Sequence, residues 1–477
     1  MKAIISLLVV IFSINNALGQ KPTGLLFDDE AYASTPMKAR NLAFQDVVSD
    51  IPMASLKAFV PEIRDQGGYG TCVGWSSAYY GRTMINARQK NLKDKARISE
   101  NTFAPVFVYL NANRDDDYNC QGGAYIDKAL KVMVDEGTPY LRDYDVMCDT
   151  AIPDSIKLKA QENRLRDYVR LFQMDESDEV KLESVKRSLT NGNPVIIGFK
   201  VENSFYSASN VFEPDSLGIT GGHAMCVVGY DDEKYGGAFE IVNSWGNEWG
   251  NDGFIWVRYP DFINYTPYAY EMIPPVAPEK KETKKLAGKL DLRLRDGTTM
   301  DVDKLSGDYG ESVLGFQDVV ADSIPQSIGD YRTEGIFPIN TRYRMYANVS
   351  TPSYVYVIGA DKDTVNLLFP NKKNISPFIS EENTSVVVPK ENYYFRLNKM
   401  VPSDYTIVIF SLEQIDIDAA IEKLQNLQGT LTDRLYITFK DQLIPREEIL
   451  LQDDQMGFKA EFVKGSMALM VLDIRRS

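Results

Sequence analysis

The stretch RDQGGYGTCVGWSSAYYG, Arg64 to Gly81, sets one cysteine between a glycine-rich turn and an apolar run. Thr71 is a helix-capping residue type, and the residues from Cys72 through about Arg88 read as a helix. Cys72 then falls in the first helical turn, where unpaired backbone N–H groups and the helix dipole favour negative charge. A thiol attacks only as the thiolate, so a nucleophilic Cys72 needs this field and a base beside it.

The chain contains one histidine, His223, in GGHAMCVVGYDD, so any Cys–His pair must use it. Further on, Asn243 in VNSWGNEWGNDGFIWVRY can orient an imidazole through its side-chain oxygen. Gln66, just before Cys72, carries an amide that can join the Cys72 backbone N–H in binding an oxyanion.

Together with CQGG at Cys120 to Gly123, the segments DQGGYGTCVGWS, GGHAMCVVGY and NSWGNEWGNDGF resemble, in order and spacing over about Ile51 to Tyr270, the papain-like C1-type cysteine peptidases of bacterial type. The resemblance implies a two-lobed α+β fold with no metal or organic cofactor. It implies Cys72 as nucleophile, His223 as general base and acid, Asn243 as orienting residue and Gln66 as oxyanion donor. Gly122 and Gly123 would line the cleft beside the substrate backbone. Gly222 and Ala224, with Gly221, would lie near the pocket for the side chain preceding the scissile residue. Trp245 would shield the Asn–His hydrogen bond, and Trp249 would flank the leaving-group side.

The chain also departs from that family. Val73 stands where an aromatic residue usually follows the nucleophile, and Tyr69 where a cysteine usually precedes it. Cys120 and Cys148 therefore lack their usual partners; a nonstandard Cys120–Cys148 bridge is expected, the alternative being two free thiols. Cys226, between Met225 and Val227 on a predicted strand, reads as a buried thiol. Too few residues precede the motifs for the family's long helical inhibitory propeptide.

Composition bounds the rest. Of 477 residues 44% are hydrophobic and 25% charged, ordinary for a folded protein too long for one core. The net charge of −15 argues against nucleic acid or anionic lipid as partner. MKAIISLLVVIFSINNALGQ reads as a cleavable signal ending at Gly19, which predicts export to the periplasm or beyond. Its apolar run is too short for a transmembrane anchor. Asp115 to Asp117 lack the alternating ligand spacing of a calcium loop.

IPPVAPEKKETKKLAGK, Ile273 to Lys289, reads as an extended linker because prolines followed by lysines cannot pack a core. The expected layout is signal 1–19, N-terminal extension 20–50, peptidase domain 51–272, linker 273–289 and accessory domain 290–477. In the first half, Ser99 with Thr102 should open a helix carrying FAPVFVYLNANR, YIDKALKVMVDEG should form another that stops at Gly137, and strands should follow from Pro194. The second half reads as an all-β, sandwich-like domain interrupted by one helix from Asp416 to about Leu427. It resembles an uncharacterised β-rich bacterial domain that accompanies enzyme modules, which implies a binding or envelope-attachment role for a ligand not yet known. AFQDVVSDIP at Ala43 to Pro52 echoes GFQDVVADSIP at Gly315 to Pro325.

The reading is an exported cysteine peptidase, endopeptidase in preference to exopeptidase, acting on protein or peptide through an acyl-enzyme. Its rivals are an amidase or acyltransferase of cell-wall peptides, and a noncatalytic binding protein using the same scaffold.

Overall fold

The structure is a computed structural model. It describes residues 21–38, 51–112, 117–148, 151–275, 283–305, 329–361, 364–372, 374–380, 384–389, 393–397 and 403–476. The expected signal, most of both echo segments, and Asp115 and Asp116 lie outside these residues.

The first half is a two-lobed α+β unit. Its helical side is built on one run that changes register twice, α-helical over Cys72–Gly74, π-helical over Trp75–Arg82 and α-helical again over Thr83–Gln89. Every residue from Cys72 to Ala87 is buried, so packing on all sides, not an amphipathic stripe, holds this run. Ile126–Asp135 packs Ile126, Ala129, Leu130 and Met133 against it and stops where Gly137 takes φ +84°. The neighbouring helix starts later than the Ser99 and Thr102 capping types predict, at Pro105–Ala112. Ser99 instead ends a separate short helix, Lys95–Ser99, and Pro105, with fixed φ and no N–H, suits a first turn.

The β side is an antiparallel sheet ordered β2-β7-β3-β4-β5-β6, with β1 also on β4. Its strands are β1 Met53–Ser55, β2 Asp167–Arg170, β3 Val195–Glu202, β4 Ile219–Asp231, β5 Ala238–Val242, β6 Phe254–Arg258 and β7 Tyr268–Ile273. β4 runs through the middle, which is why its His223 and Ala224 face the Cys72 helix with no exposure to water.

Two further sheets form a sandwich. One has the order β13-β12-β17-β20-β10-β9, the other β15-β11-β8-β19-β18, with β14 and β16 added at β12 and β11. β8 is Lys284–Leu294, β9 Val302–Lys304, β10 Tyr331–Thr333, β11 Arg342–Val349, β12 Ser353–Ala360, β13 Val365–Phe369 and β14 Phe378–Ile379. β15 is Thr384–Val388, β16 Phe395–Arg396, β17 Ser403–Ser411, β18 Ile449–Leu451, β19 Gly457–Phe462 and β20 Met467–Arg475. Val355 and Val357 of β12 face the partner sheet, while Tyr354, Tyr356 and Ile358 face the opposite way into a second apolar cluster. That cluster also holds Val169 and Ile273 of the first half, so the two halves share a core.

Two expectations are corrected here. Lys284–Lys289 is not linker but the start of β8, because Leu286 packs fully buried in the sandwich. A second helix, Leu431–Phe439, follows Ile417–Asn426. Its Thr430–Asp433 capping box and the burial of Leu431, Leu435 and Phe439 outweigh the strand-favouring LYITF composition.

Candidate active site

Cys72 opens its helix, and its buried Sγ accepts the backbone N–H of Ala224 at 3.4 Å. Thr71 occupies the capping position, yet its side chain makes no capping bond. His223 is fully buried on β4 and its Nε2 lies 2.7 Å from Asn243 Oδ1. A carbonyl oxygen can only accept, so Nε2 carries the hydrogen and Nδ1 keeps the free lone pair. That Nδ1 has no hydrogen-bond partner among the described residues. Trp245 stacks on the imidazole with ring centres 4.5 Å apart, and Asn243 Oδ1 also accepts Ser244 N–H at 2.7 Å.

Gln66 is likewise buried. Ser244 donates its hydroxyl to Gln66 Oε1 at 2.6 Å, while Gln66 Nε2 donates to Tyr69 O at 2.7 Å and Pro22 O at 3.3 Å. The structure thus brings Cys72, His223, Asn243 and Gln66 to one place, from a helix start, a central strand and two loops.

The electrostatics differ from the expectation of an ionised thiol. Burial pushes the Cys72 thiol up to about 12. Burial also pulls His223 down to about 4, against the hydrogen bond to Asn243, which raises it. The helix N-terminus cannot offset removal of both groups from water, so the pair is neutral in this state.

Among the predicted cleft residues, the Gly222 carbonyl accepts two N–H groups of residues 24 and 25, and Ala224 contacts Cys72. Trp249 packs on Trp245 at 5.2 Å and donates to Tyr206 O. Gly123 spends its N–H on the Tyr109 hydroxyl, and Gly122 faces Asp117, so the paired backbone N–H is that of Ala124. A Cβ on Gly123 would stand 2.5 Å from Gly24 O, so that approach needs a glycine. Cys120 and Cys148 are joined by a disulfide with Cα atoms 6.0 Å apart, and Cys226 is a free, buried thiol. Asp117 is partly buried, accepting from the Tyr109 hydroxyl and from Gln121 N–H. Motif reading missed Ser244, Ala124 and the segment from Lys21 to Lys38; only the last left a signal, an Asp28 cap before an apolar-spaced DEAYAS.

Residues 49–265 match the family model described as papain family cysteine protease. This segment is similar to the papain-family cysteine proteases. The chain is 28% identical over 217 residues to an uncharacterised peptidase C1-like protein of Acanthamoeba polyphaga mimivirus, spanning 41% of this chain and 63% of the viral one. A cathepsin B-like protein of Giardia intestinalis is 25% identical over 261 residues, 52% of this chain and 77% of its own length. Among solved structures, xylellain, a cysteine protease from Xylella fastidiosa, superposes with a TM-score of 0.44 and 22% identity, covering 54% of this chain and 97% of that one. No helix among the described residues is long and apolar enough to cross a membrane.

Proposed function

We propose that this protein is an exported cysteine peptidase that hydrolyses peptide bonds in proteins or peptides. The observation that carries the reading is the 2.7 Å pairing of His223 Nε2 with Asn243 Oδ1, which leaves Nδ1 as a free base on the strand whose next residue touches Cys72 Sγ. In this reading His223 takes the thiol proton and Cys72 sulfur bonds to the peptide carbonyl carbon, giving a tetrahedral oxyanion held by Gln66 Nε2 and the Cys72 backbone N–H. His223 then returns the proton to the departing amine as the C–N bond breaks. Water, deprotonated by His223, releases the acid and restores the thiol. The Lys2-led apolar N-terminus supports export to the periplasm or the exterior. The β-rich half supports a binding or envelope-attachment role.

The test is prolonged labelling of the mature protein with an epoxide-type thiol inhibitor, mapped by mass spectrometry, alongside hydrolysis of a denatured protein substrate. Wild type should carry one adduct on Cys72 and cut the substrate, and Cys72→Ala and His223→Ala should do neither. Hydrolysis that survives Cys72→Ala overturns the reading.

A further inference from the structure

The cleft is not empty of polypeptide. Trp245 Nε1 and Gln66 Nε2 both donate to Pro22 O, at 2.9 and 3.3 Å, so a main-chain carbonyl of the protein itself takes up the amide assigned to the oxyanion. Gly24 N and Leu25 N donate to Gly222 O at 3.2 and 3.1 Å, Ala124 N donates to Gly24 O at 2.8 Å, and Leu26 N donates to Ala124 O at 3.0 Å. Lys21 pairs with Asp65 at 2.8 Å. Leu25 is buried with Cδ2 against Gly198, and the fit at Gly24 is close enough that a Cβ there would stand 2.0 Å from Gly70 O. Cys72 and His223, next to the Gln66, Gly222 and Trp245 that this segment touches, have no exposure at all.

The same segment is anchored farther along. Asp28 caps the Asp29–Ser34 helix, whose fully buried Tyr32 donates to Phe172 O at 2.9 Å and stacks on Tyr268 at 4.5 Å. Residues 36 to 38 then bridge the two halves. Arg170 N donates to Pro36 O and Lys38 N to Arg170 O on the peptidase side; Met37 N donates to Asn374 O at 2.7 Å and Ser376 N to Met37 O at 3.0 Å on the β side. Lys38 Nζ also lies 2.9 Å from buried Glu271. The β domain is held to the peptidase half by Arg166, whose guanidinium lies 4.6 Å over Tyr354 and 4.5 Å over Phe378, and by the shared apolar cluster.

We propose that residues 21–27 plug the active-site cleft and that the C-terminal β domain, gripping residues 36–38, is the clamp that keeps the plug seated. The proposal rests on the peptidase reading for its consequence, regulation of that site, and on geometry alone for the occlusion. A tethered plug competes at an effective concentration on the order of millimolar, so a micromolar peptide would not displace it without help. Weakening the clamp, by a ligand on the β domain or by cutting the chain beyond the plug, supplies that help.

The experiment measures the rate at which a small maleimide modifies Cys72, followed by mass spectrometry so that Cys226 is scored separately, with hydrolysis recorded in parallel. Gly24→Val cannot sit under Gly70 O and should speed modification at least about tenfold, the factor given by ~1.4 kcal/mol of lost seating. Arg166→Ala leaves the plug intact and should speed it about threefold or more through the clamp alone. The synthetic peptide KPTGLLF, added in excess to the Arg166→Ala protein, should slow it again, which keeps a test in hand if Gly24→Val fails to fold. Rates equal to wild type in the folded variants, or no effect of the peptide, overturn the proposal. Fast modification without hydrolysis upholds the plug and instead defeats the peptidase reading.

Discussion

Ser244 donates its hydroxyl to Gln66 Oε1 at 2.6 Å, and Ser244 directly follows Asn243, the partner of the imidazole. One dipeptide therefore holds both the His223 imidazole and the Gln66 amide. Gln66→Ala should lower kcat by about 10²–10³, the usual loss for one oxyanion donor. Ser244→Ala should lower it less, and should add little in the Gln66→Ala background, because the hydroxyl acts through that amide. A double-mutant cycle on kcat checks this, and full additivity would refute it.

Asn243→Ala removes the acceptor that keeps the hydrogen on His223 Nε2. Loss of a buried hydrogen bond of ~1–3 kcal/mol corresponds to roughly 5–150-fold in rate. The fall should appear in kcat and scarcely in KM, since Asn243 acts through its hydrogen bond to the imidazole.

His223 makes the fold acid-sensitive. Its pKa falls from the ordinary 6.5 to about 4 on folding, through burial. Between those values the unfolded chain holds the extra proton, so stability drops as pH falls from about 6.5 to about 4 and levels off below. The full loss is on the order of 3 kcal/mol. Thermal melts from pH 7 to 4 should show a shallower slope for His223→Gln than for wild type.

The Cys120–Cys148 disulfide closes a loop with a sequence separation of 28. Cys148→Ser should cost about 3–4 kcal/mol on loop-entropy grounds. The Cys120 carbonyl accepts Gly70 N–H at 2.7 Å, so the variant should also loosen the turn before Cys72 and raise KM. Denaturant unfolding and steady-state kinetics measure the two effects separately.

Much of the first half was legible because its signals are local. A lone histidine, a glycine turn before Cys72 and short apolar, β-branched runs such as PVIIGFKV each follow from a few adjacent residues. The helix at Leu431–Phe439 was not legible, since burial overrode its residue preferences. The Lys284–Lys289 strand was hidden the same way, by a lysine-rich face turned to water and a buried Leu286.

The amino-acid order alone determined which residue types were on hand for the chemistry: one thiol at a helix start, one imidazole, one asparagine and one glutamine in recognisable motifs. Tertiary structure alone decided their state. Neither the neutral, buried Cys72 nor the carbonyl of Pro22 beneath Trp245 follows from any local pattern, because both arise where chain segments far apart in sequence exclude water from the same cleft.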